Sequence, residues 1–120
     1  MGLISVVDDD ESVREFLPDV LERFGFAARA FASAEEFLAS DALGSTRCLI
    51  LDVAMPGMSG PELQQELVAR RLEIPIIFIT AHADQDVRSR LLARGAVECL
   101  FKPCTAQELK AALDAGLRMA

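Results

Sequence analysis

Five short apolar runs recur along this chain, each followed by a polar break and a stretch with helical spacing. This alternation limits the fold more than any other feature of the sequence. Residues 3–7, 26–31, 48–51, 75–79 and 97–101 read as strands. After the first, Val13, Phe16, Leu17, Val20, Leu21 and Phe24 fall on one helical stripe that closes at Gly25. Pro18 lies inside that stripe on the opposite face. A proline there removes a backbone hydrogen bond at a cost of about 3 kcal/mol, so a bend or a helix in two pieces is expected. Ser33 with Glu36 has the spacing of a capping box and predicts a second helix to about residue 42. Ser59 caps a third helix with Pro61 in its first turn, where proline is tolerated. A fourth helix is expected over 85–94, stopped by Gly95. Thr105 and Glu108 form a second capping box, opening a last helix that carries Leu109, Ala112, Leu113 and Leu117 on one face.

Strands and helices alternating five times predict an α/β fold: a parallel sheet covered on both faces. The first, third and fourth runs are nearly all apolar, as strands buried on both sides must be, whereas the second and fifth carry Arg29 and Glu98. Charges suit edge strands. Edges at positions two and five match the doubly wound, flavodoxin-like order 2-1-3-4-5. A length of 120 residues suits one domain spanning 1–120, and 52% hydrophobic with 26% charged residues marks it as globular.

The net charge of −7 disfavours a nucleic-acid surface on this segment. Cys48, Cys99 and Cys104 form no Cys-x-x-Cys pair, and with one histidine in the chain they read as free thiols, not a zinc site. The first apolar run ends at a carboxylate and is too short for a signal peptide or a membrane span, so a cytoplasmic protein is expected.

In open parallel sheets, ligands bind beyond the carboxyl ends of the strands. Here the first strand ends at Asp8 and Asp9, the third at Asp52, the fourth at Thr80 and the fifth at Lys102. Three carboxylates brought to one crevice repel each other, and one lysine offsets them only in part. A hard divalent cation would balance them, and oxygen-only ligands suit magnesium better than zinc. A carboxylate can also attack phosphorus to give an acyl phosphate, with metal, amine and hydroxyl holding the phosphoryl oxygens. Taken singly, Asp8, Asp9 and Asp10 read as an acidic helix start, Lys102 as a surface lysine and Thr80 as a strand-end hydroxyl. Their joint placement carries the inference.

The segments Val6-Val7-Asp8-Asp9-Asp10, Leu51-Asp52-Val53-Ala54-Met55-Pro56-Gly57-Met58-Ser59-Gly60, Ile79-Thr80-Ala81 and Phe101-Lys102-Pro103 resemble response-regulator receiver domains, in order and spacing, across essentially the whole chain. The Thr-x-His and Gly-Ala-Val stretches are most similar to receivers of the nitrogen-fixation regulator type. The resemblance implies that Asp52 accepts a phosphoryl group from a histidine kinase or a small acyl phosphate. It implies that Asp9 and Asp52 ligate Mg2+ directly, Asp8 mostly through water, and the backbone carbonyl of Ala54 completes the set. Lys102 would pair with Asp52 before transfer and with the phosphoryl oxygens afterwards. Thr80 would move to hydrogen-bond the phosphoryl group, and the Lys102-Pro103 bond would be cis. The surface of the fourth helix, fifth strand and fifth helix would then control an output domain or partner protein, or a phosphorylation-dependent homodimer.

The chain also departs from the family pattern. Cys99 stands where an aromatic residue usually sits on the fifth strand, Cys104 replaces the usual aromatic after Lys-Pro, and Ala54 and His82 occupy positions that resemble modulators of phosphoryl lifetime. His82 is expected to be an exposed loop residue. Arg88, Arg90 and Arg94 stand out in an acidic chain; they read as a solvated helix face with an Asp86–Arg90 pair, or alternatively as a partner or dimer surface.

Rival readings come from other classes. Asp8-x-Asp10 resembles the start of haloacid-dehalogenase-type phosphatases, which would make Asp8 the nucleophile, but those enzymes are usually longer. A receiver kept only as a binding module would be expected to lose Asp52 or Lys102. A calcium loop starting at Asp8 fails because Val13 stands where glycine is required. A stand-alone regulator and the amino-terminal part of a DNA-binding protein both fit the 120 residues.

Overall fold

The computed structural model describes residues 2–82 and 84–119. Five strands, β1 (Leu3–Val7), β2 (Ala27–Phe31), β3 (Thr46–Asp52), β4 (Ile76–Thr80) and β5 (Glu98–Phe101), alternate with five helices. The helices are α1 (Glu11–Arg23), α2 (Ala34–Leu38), α3 (Gly60–Ala69), α4 (Gln85–Ala93) and α5 (Ala106–Met119). All pairings are parallel and the order is β2-β1-β3-β4-β5, so Arg29 and Glu98 do lie on the two edges. The fold is the flavodoxin-like doubly wound α/β sandwich that the alternation predicts.

Side-chain alternation in the strands divides the core between the two faces of the sheet. On one face Ile4, Val6, Ile50, Ile77 and Ile79 meet Leu17 and Leu21 of α1 and Leu109 and Leu113 of α5. On the other, Val7, Leu49, Leu51 and Phe78 meet Phe37 of α2, Leu63 and Leu67 of α3, and Leu91 of α4. Between β1 and β3 the buried hydroxyls of Ser5 and Thr46 lie 2.7 Å apart. Thr46 donates to the Ala42 carbonyl at 2.7 Å, which makes Ser5 the donor to Thr46 and satisfies both groups.

Several local expectations change in the structure. Helix α1 is continuous through Pro18 and is not split in two. Helix α2 ends at Leu38, short of residue 42, because the Ser40 hydroxyl donates to the Phe37 carbonyl and accepts the Ala42 N–H, which turns the chain. Only half of the Ser33–Glu36 box forms: the Glu36 N–H donates to Ser33 Oγ. The Ser59–Glu62 and Thr105–Glu108 boxes both form in full. Strand β3 is longer than residues 48–51, extending from Thr46 to Asp52. Asp86 and Arg90 do not pair through the carboxylate; Arg90 Nε donates to the Asp86 backbone carbonyl at 3.4 Å. Arg88 instead forms an ion pair with Glu98 on β5 and donates to the Cys99 carbonyl.

Helix α3 ends in a turn usually reserved for glycine. The Leu72 N–H donates to the Leu67 carbonyl and the Arg71 N–H to Val68, the paired bonds of a Schellman closure, with Arg71 at φ 59°. A side chain in this left-handed region costs about 1 kcal/mol relative to glycine. Arg71→Gly is therefore expected to raise stability by roughly 0.5–1 kcal/mol. The check is a urea transition whose midpoint rises with no change in slope; an unchanged or lower midpoint contradicts the strain.

Candidate functional site

The parallel register brings four strand ends to the same level. Val7 pairs with Leu51, Asp52 with Ile79, and Thr80 with Phe101, so Asp8, Asp52, Thr80 and Lys102 all emerge at one edge. Asp8 is fully buried, Asp52 and Thr80 are each 5% exposed, and Asp9 is exposed. Carboxylate oxygens of Asp8, Asp9 and Asp52 lie within 4.8 Å of one another. The Lys102 amine reaches over them, 2.9 Å from Asp8 Oδ2 and 3.5 Å from Asp52 Oδ1. The Lys102-Pro103 peptide that leads away is cis.

Local bonds aim these groups. Asp8 Oδ1 accepts the Asp10 N–H at 2.9 Å, which turns its side chain toward the crevice. Asp10 is the N-cap of α1, accepting from the Ser12 N–H, so its carboxylate is engaged by the helix. Asp52 ends β3 beside the start of α3, and the close fit there explains Gly60. A Cβ at position 60 would meet the Asp52 carbonyl oxygen at 2.3 Å, so any larger residue would push α3 away from the strand tip. The Thr80 hydroxyl accepts the His82 N–H at 3.1 Å, and His82 is exposed as expected. Ala54 lies exposed in the loop after Asp52.

Two further residues support the site, and the sequence offered no signal for either. Arg14 Nη1, on the first turns of α1, donates to the Asp8 backbone carbonyl at 3.0 Å and anchors the β1 tip. Glu35 Oε2 on α2 accepts the Met58 N–H at 3.1 Å, which fixes the loop after Asp52. Each contact joins elements whose spacing is set by packing, and neither residue type is unusual on a helix surface.

The electrostatics follow from burial. Burial first, and then the Asp8 charge, push the Asp52 carboxyl up from 3.8 to about 7, with Lys102 offsetting part of the effect. Burial works against the charged Lys102 amine, but its close contact with Asp8 and the charges of Asp8 and Asp52 outweigh that and hold its pKa above the ordinary value. Asp8 Oδ2 receives no well-directed hydrogen bond; the nearby lysine meets it as an ion. A crevice with three carboxylates, one lysine and a buried oxygen lacking a directed donor fits a hard divalent cation. The donors are all oxygen, as magnesium prefers. Away from the crevice, Cys48 is buried with its thiol pushed up to about 12 by burial, Cys99 is buried, and Cys104 is half-buried.

The family model described as "Response regulator receiver domain" matches residues 4–114. Nodulation protein W of Bradyrhizobium diazoefficiens is 44% identical over 90% of this chain and 48% of its own length. The transcriptional regulatory protein FixJ of the same organism is 36% identical over 99% of this chain and 58% of its own length. The chain thus spans about half the length of these curated relatives. The crystal structure of FixJ-N superimposes with a TM-score of 0.89 at 34% identity, covering 100% of this chain and 96% of that one. No helix among the described residues is long and apolar enough to cross a membrane.

Proposed function

Because this chain belongs to the response regulator receiver domain family of two-component systems, we propose that Asp52 is its phosphoryl acceptor and a histidine kinase its donor. The reading matches the nitrogen-fixation regulator type among its relatives. Residues 1–120 act as one phospho-accepting domain, whose only chemistry is self-catalysed transfer and slow loss of the phosphoryl group. One observation carries the assignment: a single amine, Lys102 Nζ, reaches both Asp8 and Asp52 where three carboxylates converge.

Transfer requires an ionised Asp52 oxygen. That oxygen attacks phosphorus, the P–N bond to the donor imidazole breaks, and the imidazole nitrogen keeps the electron pair. The burial that makes the Asp52 carboxyl more basic also makes its oxygen a better nucleophile, provided that nearby positive charge keeps it ionised. Asp9 and Asp52 would hold Mg2+ directly, Asp8 mostly through water and Ala54 through its carbonyl, and the ion would supply charge neutralisation for the incoming phosphoryl group. Lys102 turns from the carboxylates to a phosphoryl oxygen once the acyl phosphate forms. Thr80 gives up the His82 N–H and donates its hydroxyl to another phosphoryl oxygen. That movement starts at β4 and alters the surface of α4, β5 and α5, which acts on an output domain, a partner protein or a second copy of the chain. The domain itself binds neither nucleic acid nor membrane, and it works in the cytoplasm.

Incubation with Mg2+ and acetyl phosphate, or with the phosphorylated kinase, is expected to add the mass of one phosphoryl group. Asp52→Asn is expected to remove that gain. No gain with either donor, or an undiminished gain in the variant, overturns the reading; a gain that requires Asp8 and not Asp52 would indicate the phosphatase-type chemistry instead.

A further inference from the structure

Helices α3 and α4 lie side by side on one face of the sheet, with Leu63, Leu67 and Leu91 in one core cluster beneath them and Gln64 Nε2 donating to the Arg94 carbonyl, and a gap stays open between them toward the surface. Two cavities fill the gap. One, about 520 Å3, opens beside Val53, Met55, Pro61 and Leu91 near the Asp52 loop. The other, about 730 Å3, lies over Leu67, Leu72, Ile74 and Ile76 toward the opposite end. Arg94 borders both, so the two form one groove running along the gap. Its walls are largely apolar, and Val68 on its margin is 69% exposed. Gln64 Oε1, buried where α3 faces α4, has no hydrogen-bond partner among the described residues.

The charges on this groove are one-sided in an acidic molecule. Between Arg70 and Arg94 the chain carries five arginines. Arg70 is paired with Glu66, and Arg88 with Glu98; neither lines the groove. Arg71, Arg90 and Arg94 all line it, and none makes an ion pair among the described residues. Glu73 is the one acid on the rim. Arg71 also holds its place at the cost of a left-handed backbone where glycine would sit without strain.

We propose that the α3–α4 groove is a docking site for an acidic peptide segment of a partner protein. Apolar side chains of the segment fill the space between the helices, and its carboxylates meet Arg71, Arg90 and Arg94. Charge complementarity selects this occupant: on a domain of net charge −7, three arginines without an ion-pair partner among the described residues line this one groove, opposed there by Glu73 alone. Such a partner would be steered to the groove and held by apolar anchors, a common division of labour in peptide recognition.

The test uses 15N-labelled protein and a short synthetic peptide of Glu, Asp, Leu and Phe, with a control in which lysines replace the acids. The acidic peptide is expected to shift amide resonances of α3, α4 and the segment after α3, and the basic control to leave them unchanged. Arg90→Glu combined with Arg94→Glu is expected to weaken binding by roughly tenfold or more. Val68→Asp, at an exposed position, is expected to weaken it as well, while Arg23→Glu on α1 leaves it unchanged; circular dichroism shows that each variant is folded. Shifts that map to another face, equal binding of the basic peptide, or indifference to the arginine reversals overturn the proposal. Sedimentation showing that free protein self-associates through α3 and α4, and that the same reversals abolish this, would assign the groove to a second copy and overturn it too.

Discussion

Asp52→Asn is expected to stabilise the metal-free protein at pH 8 by about 2–4 kcal/mol, from a shift worth about 1.4 kcal/mol per unit. The folded-state carboxyl lies near 7 and the ordinary value is 3.8. Between those values the folded protein keeps a proton on Asp52 that the unfolded chain has already released. Stability from this group therefore falls as pH rises from about 4 to about 7 and is level above that window. The cause is first the loss of solvation on burial, then the charge of Asp8, with Lys102 only partly compensating. An asparagine amide has nearly the same shape and never ionises, so the advantage of the variant should vanish near pH 4 and be complete by pH 8. Urea titrations in EDTA at these two pH values provide the check. Equal stability of both proteins at pH 8, or a gain independent of pH, would show that Asp52 is not strained by its surroundings.

Removing the amine should have the opposite sign. Lys102→Met keeps most of the apolar stem but leaves Asp8, which has no exposure at all, without its cation. Stranding one partner of a buried pair costs about 3–5 kcal/mol, and the 21% exposure of the Lys102 side chain lowers the expectation to roughly 2–4 kcal/mol at pH 8 without metal. Adding Asp52→Asn to this variant is expected to recover a large part of the loss, because one buried carboxylate in place of two then remains in the crevice. Millimolar Mg2+ should recover part of it as well, since a cation that binds only the folded state stabilises by mass action. Thermal melts of the four proteins of this double-mutant cycle measure the coupling. Independent, additive effects would mean that Lys102 and Asp52 do not act on each other.

Much of this molecule follows from its linear pattern. Apolar runs at strand length, stripes at helical spacing and the Ser59 and Thr105 caps are local features, and local hydrogen bonding and burial settle them. The charged edge strands even gave the sheet order, because a strand buried on both faces cannot accommodate Arg29 or Glu98. Asp8, Asp9, Asp52, Thr80 and Lys102 could be singled out for the same reason: a parallel sheet sends successive strand ends to one edge, so sequence position alone groups them.

Tertiary packing decided the rest. Nothing in the chain says that Lys102 would sit closer to Asp8 than to Asp52, that Arg14 would hold the β1 tip, or that Glu35 would fasten the loop after Asp52. The Lys102 and Glu35 contacts join elements far apart in sequence, the Arg14 contact crosses the turn from β1 into α1, and in each case a shift of a single ångström in register or helix position would exchange one partner for another. The open gap between α3 and α4 has the same origin. Periodicity tells each helix which side to bury, but the distance between two neighbouring helices depends on how the side chains beneath them fill the sheet surface, a quantity that no local pattern encodes.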